Sequence, residues 1–372
     1  MARKLKSDKA LFLATLLLVC AGVVMVYSAS AVMAMERFGH PYRFLVKQAM
    51  WTALGLGALA IVMRLDYRTY REPTFIWTTL AVVLVSLVAV LFSTPINGTR
   101  RWFAIGGLGL QPSELAKLAV IVFTAALLDR RMHRINDVRY SLVPIAMVTV
   151  VVVTLVLLEP DFGTAIAILA IVALMVFAAG IDWRYLALTA AAAIPVGWVL
   201  LMSADYRRRR LLAFLNPWDD PLGDGFQIIQ SMIAVGTGGA FGRGLMEGVQ
   251  KLFYLPEPHT DFIYAVVGEE LGLAGTTVVL AAFLLIAWRG LRIASRAPDT
   301  FGSLLAMGLT AMIAVQAFIN MSVVLGLLPT KGIPLPFVSA GGSSLVINLI
   351  GIGVLLNLSQ HASAAHEVDE AG

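Results

Sequence analysis

The chain has 372 residues, of which 59% are hydrophobic and 14% charged, with a formal net charge of +5 and a mean hydropathy of +0.83. Soluble domains run close to half apolar and about a quarter charged, so a soluble globular fold is excluded. Nucleic acid is excluded as a partner too, because the basic residues are not gathered in a soluble domain with an aromatic platform.

A spanning helix needs about 20 mostly apolar residues. Ten stretches meet that need in chain order: 11–35, 44–63, 75–92, 115–128, 141–158, 163–180, 186–201, 271–288, 301–328 and 333–358. Lys47 and Lys117 are the charged residues inside the second and fourth. In lipid every backbone polar group must be satisfied internally, so such segments form helices and not open sheets. The expected architecture is all-α, a bundle of about ten transmembrane helices forming a single polytopic domain over 1–372. A long extracytoplasmic loop, 202–261, separates helices seven and eight.

Basic residues set the orientation. With the N-terminus inside, the cytoplasmic segments hold fifteen Lys and Arg, beginning with Arg3, Lys4, Lys6 and Lys9, and the short outer loops hold six. By the positive-inside rule both termini are cytoplasmic. A cleaved signal peptide is not expected, because the first apolar run continues past the small residues Ala29-Ser30-Ala31 to Met35. The single cysteine, Cys20, permits no intrachain disulfide.

The 202–261 loop carries Arg207, Arg208, Arg209, Arg210, Arg243 and Lys251 on the translocated side, against the general bias. Solvated or headgroup-facing arginines are the plain account. The alternative is a site for an anionic ligand, since planar guanidinium donors pair with phosphate oxygens and never deprotonate. Residues 226–235 place Phe226, Ile229, Met232 and Ile233 at helical spacing, too short to span and suited to the interface. The glycines from Gly236 to Gly244 lack the strand-then-helix context of a phosphate loop and predict a flexible, tightly turning segment.

The densest polar cluster follows, Tyr254-Leu-Pro-Glu-Pro-His-Thr-Asp-Phe262, with Glu269 and Glu270 close behind. Thr260 or Asp261 would serve as a helix cap. Capping does not explain Glu257 or His259, and ionisable groups at a membrane boundary are functional candidates. A carboxylate here would act as a general base or bind a hard cation, Mg²⁺ or Mn²⁺, through Glu257 and Asp261. One histidine without a thiolate is a thin set for zinc. Glu114 and Lys117, three apart, share a helix face and would pair, while Glu159-Pro-Asp161 occupies a very short outer turn.

These segments together resemble the SEDS family (shape, elongation, division and sporulation). The resemblance is carried by Arg100-Arg-Trp102, Gln111-Pro-Ser-Glu-Leu-Ala-Lys117, Glu159-Pro-Asp-Phe-Gly-Thr164, Asn216-Pro-Trp-Asp219, Gln250-Lys-Leu-Phe-Tyr-Leu-Pro-Glu257, His259-Thr-Asp-Phe262, Glu269-Glu-Leu-Gly272, Leu328-Pro-Thr-Lys-Gly332 and Gly341-Gly-Ser-Ser344. Gln250-Lys251 and Pro329-Thr-Lys-Gly332 lie nearer the cell-division branch than the elongation branch. Ala340, where the family usually has tyrosine, and Met246-Glu247-Gly248 depart from the pattern.

The resemblance implies a peptidoglycan glycosyltransferase that polymerises lipid II at the outer face of the cytoplasmic membrane, at the division septum. It implies Asp261 as the base of an inverting transfer, and Arg101, Lys117, Arg207, Arg210, Glu257, His259, Lys331 and Ser343 as substrate contacts. Glu114 and Asp161 would support them. The implied partner is a class B penicillin-binding transpeptidase, with other division proteins. A lipid II flippase, an elongation-type polymerase and a non-catalytic scaffold are the alternatives, the flippase disfavoured because its polar residues would gather near the midplane.

Overall fold

The computed structural model describes residues 7–95, 98–105, 108–203 and 205–369. Arg3, Lys4 and Lys6 of the basic leading segment lie outside them. The described chain forms α1 (Lys9–Phe38), α2 (Arg43–Val62), α3 (Pro73–Val90), α4 (Pro112–Arg131), α5 (Val143–Leu158), α6 (Phe162–Ala178), α7 (Trp183–Met202), α8 (Asp205–Leu215), α9 (Phe226–Thr237), α10 (Ile263–Ser295), α11 (Thr300–Val324) and α12 (Gly342–Asp369). One antiparallel hairpin, β1 (Phe103–Ile105) with β2 (Leu108–Leu110), joins α3 to α4 with Phe103 opposite Leu110.

Among the described residues, seven helical segments are long and apolar enough to cross a membrane: α1, α2, α3, α5 with the turn before it (Val138–Leu158), α10, α11 and α12. The other three predicted spans correspond to α4, α6 and α7. The chain is therefore a multi-pass membrane protein, with α8 and α9 as extra helices inside the long loop. α11 and α12 form the centre, since their apolar surface is the most deeply buried, and α2, α4, α6 and α10 pack around them. Among the described residues, the main neighbours of α7 are α6 and α8.

Three predicted boundaries change. The tenth span begins at Gly342, not at 333, and α11 ends at Val324. Between them Pro329, Pro334 and Pro336 keep residues 325–341 irregular, as proline removes a backbone donor and clashes with helical geometry. α10 begins at Ile263, eight residues before its charge-free stretch, and carries Glu269 and Glu270 fully buried. On α9 the packed face is Ile228, Ile229, Ser231 and Ala234, while Met232 and Ile233 are exposed.

The glycine-rich segment after α9 does turn tightly, with Gly239, Gly242 and Gly244 at positive φ. It is nevertheless held against α10 and is not free. α10 breaks at Gly272 (φ 65°, ψ −161°), and Leu273 N and Ala274 N donate instead to Gly239 O (2.9 Å) and Ala240 O (3.0 Å). Arg243 N and Gly244 N donate to Glu269 O (3.0 Å) and Glu270 O (3.1 Å). A side chain at Gly242 or Gly272 would collide with the backbone of the other segment.

The two buried carboxylates complete the attachment. Glu269 accepts from Val249 N (2.8 Å) and Gln250 N (3.1 Å), with Arg243 Nη1 at 3.6 Å. Glu270 accepts from Met246 N (2.9 Å), Ser28 Oγ of α1 (2.7 Å) and Lys251 Nζ (2.6 Å). Arg243 and Lys251, grouped at first with the anion-binding cations, are thus structural. At the opposite end of the same helix pair, Asp8 caps α1 and meets Arg289 Nη2 of α10 at 2.6 Å. Glu270→Ala would leave Lys251 buried without its carboxylate, a change that costs about 3–5 kcal/mol. The expected outcome is a markedly lower midpoint for thermal unfolding of the purified protein, followed by size-exclusion chromatography, partly restored in Glu270→Ala/Lys251→Met.

Candidate active site

Asp261 lies two residues before α10. The cap position is Phe262, and no side-chain hydrogen bond caps the helix, so capping does not account for Asp261. Its backbone is fixed by the irregular segment 325–341 and by α11. Asn320 Nδ2 donates to both Asp261 O and Ile333 O at 2.8 Å. Ser339 Oγ donates to Thr260 O (2.6 Å), and Ala340 N donates to His259 O (2.9 Å). Gly332 abuts the carboxylate, where an added Cβ would sit 2.8 Å from Asp261 Oδ2. Among the described residues the carboxylate itself accepts no hydrogen bond.

A second wall comes from the turn between α5 and α6. Asp161 caps α6, accepting from Thr164 N (3.1 Å), Thr164 Oγ1 (2.8 Å) and Gln111 Nε2 (2.9 Å). Gln111 N in turn donates to Ser343 Oγ (3.3 Å), which draws the starts of α4, α6 and α12 together. Arg101 donates through Nε to Glu159 O (2.9 Å) and through Nη2 to Pro160 O. Lys331 Nζ lies 4.6 Å from the Phe162 ring centroid and Arg207 Cζ 5.4 Å from the same ring, so one aromatic face collects two cations.

The predicted residues divide into two groups. Glu257, Asp161, Arg101 and Arg210 each act electrostatically on Asp261, and Asp161 on Lys331. Arg208 and Arg209 turn to Asp205 (3.9 Å) and Asp224 (3.3 Å). Four expected substrate contacts are otherwise engaged. Lys117 is sealed in a 2.9 Å ion pair with Glu114 and is only 1% exposed, and Ser343 is buried in its link to Gln111. His259 is buried against the Phe44 ring, 4.6 Å between centroids. Arg101 directs two donors at backbone carbonyls. Sequence reasoning placed Glu159 in a short outer turn without giving it a role, and missed Asn320 and Ser339; a polar Asn inside the apolar 301–328 run was the available signal.

Electrostatics separate the carboxyls. Burial, with the nearby Glu257 and Asp161 carboxylates, pushes Asp261 up to about 7 against the pull of Arg101 and Arg210. Burial and then Asp161 raise Glu159 to about 8, opposed by Arg101, and among the described residues both of its carboxyl oxygens lack a hydrogen-bond partner. Burial lowers Lys331 to about 8, opposed by Asp161. His259 is also lowered, by burial first, against Glu257. A titratable carboxyl near neutrality beside partly desolvated cations suits proton removal next to an anionic leaving group. Among the described residues no three His, Cys, Asp or Glu converge as a metal set. Asp261 and Glu257 offer two hard oxygen donors, which fits Mg²⁺ completed by phosphate oxygens and water better than zinc.

The family model for the cell cycle proteins FtsW, RodA and SpoVE matches residues 8–364. The chain belongs to this family. It is 45% identical over 361 residues to a Geobacter sulfurreducens protein named probable peptidoglycan glycosyltransferase FtsW, covering 96% of each chain. It is 42% identical over 365 residues to stage V sporulation protein E of Bacillus subtilis, covering 97% of this chain and 99% of that one. Among solved structures it resembles a chain of a peptidoglycan synthase complex that coordinates polymerization and crosslinking, with TM-score 0.79 and 32% identity, covering 96% of this chain and 99% of that one. Rod shape determining protein RodA of Thermus thermophilus gives TM-score 0.71 and 28% identity, covering 96% and 97%.

The raised carboxyls give a stability prediction. Folding lifts Asp261 from 3.8 and Glu159 from 4.5, so their contribution is fully present below those values and is lost as pH rises towards about 7 and 8. The thermal midpoint should fall as the pH is raised from about 5 to about 8, and Glu159→Gln and Asp261→Asn should each flatten the decline. A wild-type midpoint that rises across that range would contradict the assignment.

Proposed function

We propose that this chain is a peptidoglycan glycosyltransferase of the cell-division type, polymerising lipid II at the outer face of the cytoplasmic membrane with Asp261 as general base. The observation that carries the reading is the Asp261 carboxylate, held by its backbone, unbonded at its oxygens among the described residues and poised near neutrality in the field of Arg101 and Arg210, with Lys331 in the field of the nearby Asp161. The 4-hydroxyl of the acceptor N-acetylglucosamine attacks the anomeric carbon of the donor N-acetylmuramic acid. The new C–O bond forms as the bond to undecaprenyl pyrophosphate breaks, inverting the α-linked donor to a β-linked product. The hydroxyl proton passes to Asp261. Arg207, Arg210 and Lys331 neutralise the departing pyrophosphate, and a divalent cation held by Asp261 and Glu257 would add charge compensation there. Glu114 and Lys117, which a flippase would need along an open path, are locked to each other in the packed interior.

The partner is a class B penicillin-binding transpeptidase, supported by the likeness to a synthase complex that couples polymerization to crosslinking. The charge bias of the loops supports cytoplasmic termini, with α8, α9 and Asp261 then outside; location at the septum rests on the cell-division reading.

Asp261→Asn keeps the shape and removes the base. Purified with its partner and supplied with lipid II in detergent, the variant should bind the lipid and remain folded, yet polymerise at least about 100-fold more slowly. Wild-type rate should climb as pH rises through about 7, as the base ionises. Near wild-type polymer from a folded Asp261→Asn protein would end the assignment.

Topology has its own check. In a Cys20→Ser background, a cysteine at Thr237, exposed on α9, should react with an impermeant thiol reagent added to spheroplasts, and one at Ser295, exposed at the far end of α10, should not. The reverse pattern would invert the orientation.

A further inference from the structure

The bundle face opposite Asp261 carries a cavity of about 440 Å³ lined by Arg68, Arg71, Glu72, Arg130, Asp299 and Phe301. That volume falls in the range of small-molecule sites, about 300–1,000 Å³. It forms where the 3₁₀ turn Tyr67–Arg71 meets the end of α4 and the start of α11. Its walls are held in place. Arg71 Nη2 pairs with Asp129 Oδ2 at 2.8 Å, and Arg130 Nη2 donates to Arg71 O at 3.1 Å. The Tyr67 hydroxyl, buried under the turn, donates to Asp299 Oδ2 at 2.5 Å, and Asp299 Oδ1 caps α11 through Gly302 N at 2.7 Å. Each guanidinium has five N–H donors, and these contacts use one apiece on Arg71 and Arg130.

We propose that this cavity binds the headgroup of an anionic, hydroxylated phospholipid such as phosphatidylglycerol. Three guanidinium groups supply planar donors for the phosphodiester oxygens. Glu72 and Asp299 line the same space and accept from headgroup hydroxyls, a role a simple phosphate would leave unfilled. The cavity opens where helices end, at the level of lipid headgroups. The α3 face rising from it presents Trp77, Val82 and Val85 to the outside, a path for an acyl chain. A ligand with one phosphate, hydroxyls and a long apolar part matches all three features. None of these side chains belongs to the Asp261 site, so the assignment is independent of the transferase reading.

The test uses the full chain purified in detergent and titrated with phosphatidylglycerol, phosphatidylcholine and glycerol 1-phosphate by native mass spectrometry. Wild type should retain one phosphatidylglycerol in preference to phosphatidylcholine. Arg68→Gln/Arg130→Gln should weaken that retention by about tenfold or more. Arg139→Gln, exposed on the same face outside the cavity, should leave it unchanged. Should the double variant fold poorly, Arg68→Lys, which keeps the charge and loses the planar fork, should weaken retention on its own. Equal retention of the two lipids, or unchanged retention in the folded variants, would return these arginines to setting topology only. Displacement of the lipid by glycerol 1-phosphate at matching concentration would make a soluble phosphate ester the occupant and overturn the lipid assignment.

Discussion

One side-chain amide fixes the backbone beneath Asp261. The two N–H bonds of Asn320 join the carbonyl of Asp261 to the carbonyl of Ile333, and so tie two irregular segments to a central helix. At a membrane surface such segments lack reliable water partners, and an unpaired backbone group costs several kcal/mol in hydrocarbon. Ser339 and Ala340 meet the same demand at Thr260 and His259. The result is a carboxylate whose backbone is rigid and whose oxygens remain open. Precise placement without prior hydrogen bonding is what a base needs if it is to accept a proton only as a bond forms.

The contrast with Asp161 shows how environment separates two similar side chains. Asp161 receives three hydrogen bonds, from Thr164 and Gln111, and serves as a helix cap. Asp261 receives none among the described residues and sits in the field of Asp161. Burial raises Asp261 most, and the Glu257 carboxylate and then the capping Asp161 raise it further, as like charges do. Arg101 and Arg210 oppose that shift, which keeps Asp261 near neutrality instead of fully protonated. Acid and base roles in active sites commonly rest on such divergent surroundings.

The helical count, the long loop after α7 and the acidic cluster were legible because apolar length and charge placement are local properties of the chain. Asp261 was marked by its place in that cluster and, among its acidic neighbours, by the family resemblance. What escaped was relational. Nothing in Lys117 alone shows that Glu114 will close over it, nor in Glu269 and Glu270 that they will gather the amides of Met246, Val249 and Gln250. The start of α12 was misplaced because residues 333–341 are apolar yet rich in proline, and hydropathy does not register a missing N–H. Asn320 was hidden for the opposite reason: a single polar residue barely alters the average of a long apolar run.

The two polar fastenings between α1 and α10 have a consequence for how the molecule meets its bilayer. Ser28 with Glu270 fastens one end, and Asp8 with Arg289 the other. Twenty residues of helix separate Asp8 from Ser28, about 30 Å at a rise of 1.5 Å per residue, which is the hydrocarbon thickness of a typical membrane. The pair thus behaves as a ruler cut to that thickness. In a thicker or thinner bilayer neither helix can adjust its tilt alone, so mismatch is passed to the lipid or to less tightly held helices such as α7.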